Sequence, residues 1–372
     1  MIYADNAATT KLDPVAYEAI VQWLGEEYGN ASQPYSFARK PKVALYDARK
    51  IIAKCINAHP EEIIFTSGGS ESDNWVIKGS AFADHLHRRT ITSAFEHHAI
   101  LHACGAIERL GYPVSYLNPS TSGTITPENL SSLISLEDRL VSVMFVNNEL
   151  GSIQPVKELA TIAHEHGAIF HTDAVQAVGH IPIDVQELGI DVLSASAHKF
   201  NGPKGVGFLY LRKGVKLEQL IDGGAQEFSH RAGTENIASI MGMAYALESN
   251  VAMLAENQKH LYELETVLLA RLDAEGLQYC RNGGDNTLPG LLSLSFPGKS
   301  GETILHRMDL AGISIATGSA CDSANTQISH VLQAIALPDV LAKGTIRISL
   351  GKYNTKDDTL KIAAELVKII RN

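Results

Sequence analysis

The chain has 372 residues, a formal net charge of −10, 45% hydrophobic and 19% charged side chains. This is the composition of a soluble globular protein long enough for more than one domain. The acidic balance argues against nucleic acid or an anionic membrane as the main partner. Residues 1–6 lack the basic and apolar stretches of a secretory signal, and no apolar segment approaches membrane-spanning length. Cys55, Cys104, Cys280 and Cys321 are scattered without paired spacing. The expectation is a cytoplasmic protein with free thiols, no membrane partner and no metal site.

In chain order, short apolar runs at 63–66, 90–92, 140–146, 168–171, 192–194 and 207–211 alternate with helix-period segments such as 97–110 and 155–166. That alternation predicts an α/β fold whose large domain has a mostly parallel central sheet flanked by helices. A long helical stretch over 236–276 then leads into a smaller αβ unit, with strands at 291–296 and 345–350 and a last helix near 355–370. The expected division is a large domain over 13–255 and a small domain made of 1–12 and 256–372.

Ligands of open α/β sheets bind beyond the carboxyl ends of the strands, and five runs here end in polar clusters. The first leads to Ser67-Gly68-Gly69-Ser70, a turn before a helix that suits phosphate and serves equally as an ordinary capped βα connection. The others lead to Glu96-His97-His98, to Asn147-Asn148-Glu149, to Asp173 and Gln176, and to Ser196, His198 and Lys199. Lys199, held at a strand end and followed by a Gly/Pro turn, suits imine chemistry with a carbonyl cofactor, although most lysines are solvated surface charges. Asp173 suits a protonated pyridine nitrogen or a helix N-cap. Gln176 suits a phenolic oxygen of the same ring or a plain polar helix position. His97 suits ring stacking or proton transfer. His85, His87, His164 and His166 read as surface or helix-end residues, and Cys55, Cys104 and Cys280 as small buried hydrophobes. Arg347, within the strand at 345–350, offers a fork for a substrate carboxylate or takes part in a structural ion pair. Together these residues point to pyridoxal phosphate acting on an amino acid. Cys321 lies in a small, polar segment without core anchors, and reads as an exposed nucleophile on a mobile arm.

The motifs Tyr3-Ala4-Asp5-Asn6-Ala7-Ala8-Thr9-Thr10, Thr66-Ser67-Gly68-Gly69-Ser70-Glu71-Ser72-Asp73-Asn74, Asp173-Ala174-Val175-Gln176, Ala197-His198-Lys199, Arg231-Ala232-Gly233-Thr234-Glu235-Asn236 and Gly318-Ser319-Ala320-Cys321 resemble those of NifS/IscS-like cysteine desulfurases, within the class V aminotransferase group of fold-type I pyridoxal phosphate enzymes. The resemblance runs nearly end to end. It implies that Lys199 bonds to pyridoxal 5'-phosphate and shuttles protons, that His97 stacks on its ring, and that Asp173 and Gln176 contact its nitrogen and phenolic oxygen. It implies that Gly69, Ser70, Ser196 and His198 hold the phosphate, joined by Thr234 of a second subunit, hence a homodimer. Asn6, Asn148 and Arg347 would meet the substrate, with Asn148 also beside the cofactor. Cys321 would take sulfur from L-cysteine as a persulfide, release L-alanine, and pass the sulfur to an acceptor protein such as an iron–sulfur scaffold or a thiolation enzyme. This chain has Gly69-Ser70 where the family commonly has Ala-Thr, and Asp322 where Thr or Ser is usual. The segment from Cys321 to His330 has the longer form, which implies independence from an activator protein. A selenocysteine lyase, a transaminase and a non-catalytic adaptor are the alternative readings.

Overall fold

The computed structural model describes residues 1–317 and 328–371. In chain order its strands are β1 Ile2–Tyr3, β2 Ile63–Thr66, β3 Arg89–Ser93, β4 Val114–Leu117, β5 Asp138–Ser142, β6 Ile169–Asp173, β7 Val192–Ser196, β8 Gly207–Leu211, β9 Cys280–Asn282, β10 Leu291–Ser295, β11 Ile313–Ser314, β12 Ala316–Thr317 and β13 Thr345–Ser349. Strands β2, β7 and β8 are buried at every position. Their sequences are near-continuous apolar runs because both faces of the sheet are covered.

Strands β2 to β8 form a seven-stranded sheet in the order β2-β8-β7-β6-β5-β3-β4. Only β8 runs against its neighbours β2 and β7; the other adjacent pairs are parallel. The fold is thus mixed α/β with a largely parallel central sheet, as the alternation predicts. The carboxyl ends of β2, β3, β5, β6 and β7 therefore share one edge.

Helices α3 Gly69–Phe82 and α4 His98–Glu108 cover one face, packing Trp75, Val76, Ile100 and Ile107 on Ile64, Leu140, Val192 and Leu209. The other face is covered by α1 Pro14–Leu24, α2 Arg39–Ile56 and the helices Val156–Glu165 and Ile237–Ala252. Helix α1 starts where Pro14 follows Asp13, whose carboxylate accepts the Val15 N–H at 3.0 Å. Helix α2 stops at Asn57, which adopts a left-handed φ of 55°.

Beyond the sheet, β12-β13-β10-β9 form a four-stranded antiparallel sheet. Its core joins Leu292, Leu294, Phe296, Ile346 and Ile348 to Leu264 and Leu268 of Leu254–Ala274 and to Ile362 and Leu366 of Lys356–Arg371. The N-terminus belongs to this unit: β1 pairs with β11, and Asp5 bridges to Ser349. Val331, Leu332, Ile335 and Ala342 instead enter the larger core.

Three expectations need correction. The helical stretch over 236–276 is two helices, Ile237–Ala252 and Leu254–Ala274, bent by 71°. No single helix among the described residues is long and apolar enough to cross a membrane. The run 140–146 leaves the strand at Ser142, yet Val143 and Phe145 still donate to His171 and Asp173 carbonyls at 3.1 and 2.9 Å. Of the cysteines read as buried, only Cys104 is fully so; Cys55 and Cys280 are half-buried.

Candidate active site

The turn after β7 is the centre of the site. Ala197–Lys199 is one 3₁₀ turn, closed by N–H donations from Phe200 and Gly202 to the Ala197 carbonyl at 3.1 and 2.8 Å. A side chain at Gly202 would put its Cβ 2.8 Å from Ala197 Cβ, so glycine is what lets the chain fold back there. This holds Lys199 at the sheet edge, half-buried, with Nζ donating to the carbonyls of Ala7 and Ala8 at 2.5 and 2.9 Å.

Those acceptors come from the N-terminal segment, which is stitched to the same turn. Thr10 donates to the His198 carbonyl through both N–H and hydroxyl, at 2.9 and 2.8 Å, and Asn201 donates to Thr10 Oγ1 and to the Lys11 carbonyl. His198 Nδ1 lies 3.2 Å from Thr9 Oγ1. Burial, reinforced by Lys199, pushes the His198 imidazole down to about 4. No local sequence pattern signals this roof over Lys199, because its partners are nearly two hundred residues away.

Gly68 and Gly69 link β2 to α3. Gly68 has a φ of 148°, which disfavours any side chain. A Cβ on Gly69 would lie 2.6 Å from Val175 Cγ2 and 3.8 Å from Ser196 Cβ. The glycines therefore bring the N-terminus of α3 against the turns after β6 and β7. The first-turn N–H groups of α3 have no intrahelical acceptor, and Ser70 is exposed beside them while Ser196 is buried. Glu71 would oppose an anion here, but Arg231 pairs with it at 2.9 Å and holds its carboxyl below the usual range, against the opposing effect of burial. Arg231 stands in the segment that carries Thr234, which is exposed. A buried ion pair of Arg49 with Glu227 at 2.5 Å anchors the start of that segment.

Asp173 ends β6. Its Oδ1 accepts the Val175 N–H at 2.9 Å, an N-cap-like contact, although a turn and not a helix follows. Burial pushes its carboxyl up to about 6, against the pull of that N–H and of Lys199. Gln176 is buried, and its amide donates to the Ala7 carbonyl at 2.8 Å, the same oxygen that Lys199 meets. It is therefore no free helix residue. His97 caps α4: its Nδ1 accepts the Ala99 N–H at 3.1 Å. Burial, then the charge of Lys199, lowers its imidazole to about 4, so the ring is neutral at physiological pH.

Beneath these groups lie buried acids to which the sequence assigns no role. Asp73, one turn into α3, is 1% exposed and its Oδ1 has no hydrogen-bond partner among the described residues. Burial, and then Asp173, push its carboxyl well above the ordinary range. Glu96 is fully buried, accepts the Ser93 hydroxyl at 2.5 Å and the Met144 N–H at 2.9 Å, and is pushed up to about 8 by burial. His171, between Ser142 and Ser194 at 2.8 and 3.0 Å, is lowered to about 3 by burial. Of the carboxyls Asp73, Glu96 and Asp173, the last is therefore the one placed to carry charge.

Glu96 gives a pH test. Its native pKa lies above the ordinary 4.5, so the native state keeps a proton that the unfolded chain sheds. Stability from this group is full below about pH 4.5 and is lost as pH rises towards 8. Glu96→Gln should therefore match the parent's Tm near pH 4.5 and gain on it steadily up to pH 8, by roughly 2–4 °C per kcal/mol. A constant offset across that range contradicts the protonated Glu96.

Arg347 stands in β13 and is 5% exposed. Its Nη1 donates to the Asn148 carbonyl at 3.0 Å and its Nη2 to Asp5 Oδ1 at 2.7 Å. Asn6 turns its amide nitrogen to the Ser349 carbonyl at 2.9 Å and to Asn354 at 3.3 Å. Cys321 and Asp322 lie outside the described residues. Both flanks of their segment reach the site: Ala316 pairs with Arg347, and beyond it Ser329 donates to Glu149 at 2.6 Å while His330 Nε2 meets the Glu96 carbonyl at 2.9 Å. Of the other histidines, His85, His87 and His164 are exposed, the last pairing with Asp191 at 2.7 Å.

Residues 2–362 match the family described as Aminotransferase class-V. The chain belongs to that family. It is 46% identical, over all of its own length and 95% of the relative's, to the cysteine desulfurase IscS of Dictyoglomus turgidum. Among solved structures it resembles a NifS-like protein, with a TM-score of 0.94 and 36% identity over 100% of this chain and 99% of that one. It also resembles SspA in complex with cysteine, with a TM-score of 0.86 and 36% identity over 95% of this chain and 100% of the other. Within the family the chain is therefore one of the NifS/IscS-like cysteine desulfurases.

Proposed function

We propose that the protein is a cysteine desulfurase that uses pyridoxal 5'-phosphate to remove sulfur from L-cysteine, giving L-alanine and a persulfide on Cys321. The observation that carries this is the convergence of Lys199, Asp173, His97 and the Gly69-Ser70 helix start on one sheet edge, with both flanks of the Cys321 segment at the same place.

The residues fit the cofactor chemically. The start of α3, with Ser70, Ser196 and His198, suits its phosphate, joined by Thr234 from a second subunit of a homodimer. The buried carboxyl of Asp173 would suit a protonated pyridine nitrogen, Gln176 the phenolic oxygen, and the neutral His97 ring the face of an aromatic ring. When bound, the cofactor supplies an electron-withdrawing ring that lets the amino acid lose its α-proton. Lys199 takes that proton and returns it to the carbon skeleton. Arg347, Asn148 and Asn6 orient the substrate. The Cys321 thiolate attacks the substrate sulfur, so that an S–S bond forms as the C–S bond breaks and the bonding pair stays with carbon, which takes up a proton to become alanine. An acceptor protein, such as an iron–sulfur scaffold or a thiolation enzyme, then removes the persulfide sulfur. The reducing cytoplasm is the compartment that keeps Cys321 a thiol. The division into 13–255 and 1–12 with 256–372 gives the unit that bears the cofactor and the unit that bears the nucleophile.

Product analysis tests the assignment. With L-cysteine and dithiothreitol the holoenzyme should form alanine and sulfide in equal amounts, and pyruvate should not change the yield. Conversion that requires a keto acid would assign a transaminase, and turnover of L-selenocysteine alone would assign a selenocysteine lyase.

A further inference from the structure

We infer that Asp5 is an internal competitor for Arg347, and that a substrate carboxylate binds this arginine by displacing it. The inference rests on the assignment of Arg347 to the substrate carboxylate. A guanidinium holds a carboxylate best through two parallel N–H groups along one edge. Here Nη1 is engaged by the Asn148 carbonyl and Nη2 by Asp5 Oδ1 at 2.7 Å. The remaining nitrogen, Nε, has no partner among the described residues and is shielded from water. The arginine side chain is 6% exposed. As it stands, the fork already holds one carboxylate, and little of it is exposed to receive a second.

Asp5 is built to yield. Its backbone is pinned: Asn6 donates to the Ser349 carbonyl at 3.0 Å, Ser349 donates to the Ala4 carbonyl at 2.8 Å, and the Tyr3 hydroxyl donates to the Asp5 carbonyl at 2.9 Å. Its carboxylate is 20% exposed, so rotation of one side chain returns it to water without moving the chain. The other acid facing Arg347 is Glu149, pushed up to about 7 by burial, against the Ser329 hydroxyl and Arg347. Asp5 is thus the charge partner of the arginine, and an arriving carboxylate replaces one anion with another. Neither state leaves Arg347 as an uncompensated buried charge, which would be costly. The exchange lowers the affinity for every carboxylate, so only a ligand with further anchors in the site is held.

The test uses the holoenzyme and 3-mercaptopropionate, which has the thiol and carboxylate of cysteine without its amine, with 3-mercaptopropionamide as the uncharged control. Asp5→Asn should tighten inhibition by 3-mercaptopropionate about fivefold, the scale of a part-exposed ion pair, and leave the amide unchanged. Asp5→Ser repeats the test should Asp5→Asn not fold. Arg347→Gln should weaken 3-mercaptopropionate in parallel. If Arg347→Gln weakens it while the Asp5 variants do not tighten it, the competition is overturned and the arginine's role stands. If Arg347→Gln has no effect, the carboxylate assignment fails and the competition with it.

Discussion

Alanine in place of Lys199 should lower turnover of L-cysteine by about 10³-fold or more, because on the proposed assignment it removes the group that holds the cofactor and moves the α-proton. The residue's place favours a clean result. It is half-buried, its Nζ contacts two backbone carbonyls, and the turn that carries it is closed by backbone bonds that the substitution does not touch. The variant should therefore fold, with a Tm within about 4 °C of the parent, the scale of a 1 kcal/mol change in a protein of this size or smaller. Borohydride reduction should attach the cofactor to the peptide bearing Lys199 in the parent and to no peptide in the variant. A variant that keeps more than a tenth of the parent's turnover would contradict the assignment.

Cys321→Ala separates sulfur removal from proton transfer. Formation of alanine and sulfide should fall by about 10³-fold, the scale for loss of a nucleophile that acts with its partners as one unit. Exchange of the substrate α-hydrogen with deuterated solvent should persist, since Lys199, Asp173 and His97 are intact. Asp322 follows Cys321 in sequence, and a carboxylate close to a thiol would disfavour its ionisation. His97, lowered to about 4, is a weak base for that proton. Alanine and sulfide at the parental rate would remove Cys321 from the reaction.

Much of this was legible in the chain. The buried runs 63–66, 192–194 and 207–211 read as strands because a sheet covered on both faces needs continuous apolar sequence. Parallel strands place their following turns at one edge, so five polar clusters scattered over a hundred and thirty residues could be read as one site. What was not legible depends on long-range pairing. Asp5 meets Arg347 across 342 residues, and Lys199 meets Ala7 across 192. No local pattern encodes either contact. Nothing local in the sequence shows that Asp73 and Glu96 are buried; the packing of α3 on β6 and β7 covers the first, and the segment after β5, whose Met144 N–H Glu96 accepts, lies against the second. The break after Ala252 was hidden because both helices are apolar enough to extend one pattern. The start of α1 is encoded locally, by Asp13-Pro14.

The most direct test is the mass of the peptide bearing Cys321 after one turnover. The holoenzyme is given L-cysteine without any reductant or acceptor, then quenched and digested. The account predicts one added sulfur atom on Cys321 and one alanine per site, with Cys55, Cys104 and Cys280 unmodified. Alanine formed with no added sulfur on Cys321 would contradict it.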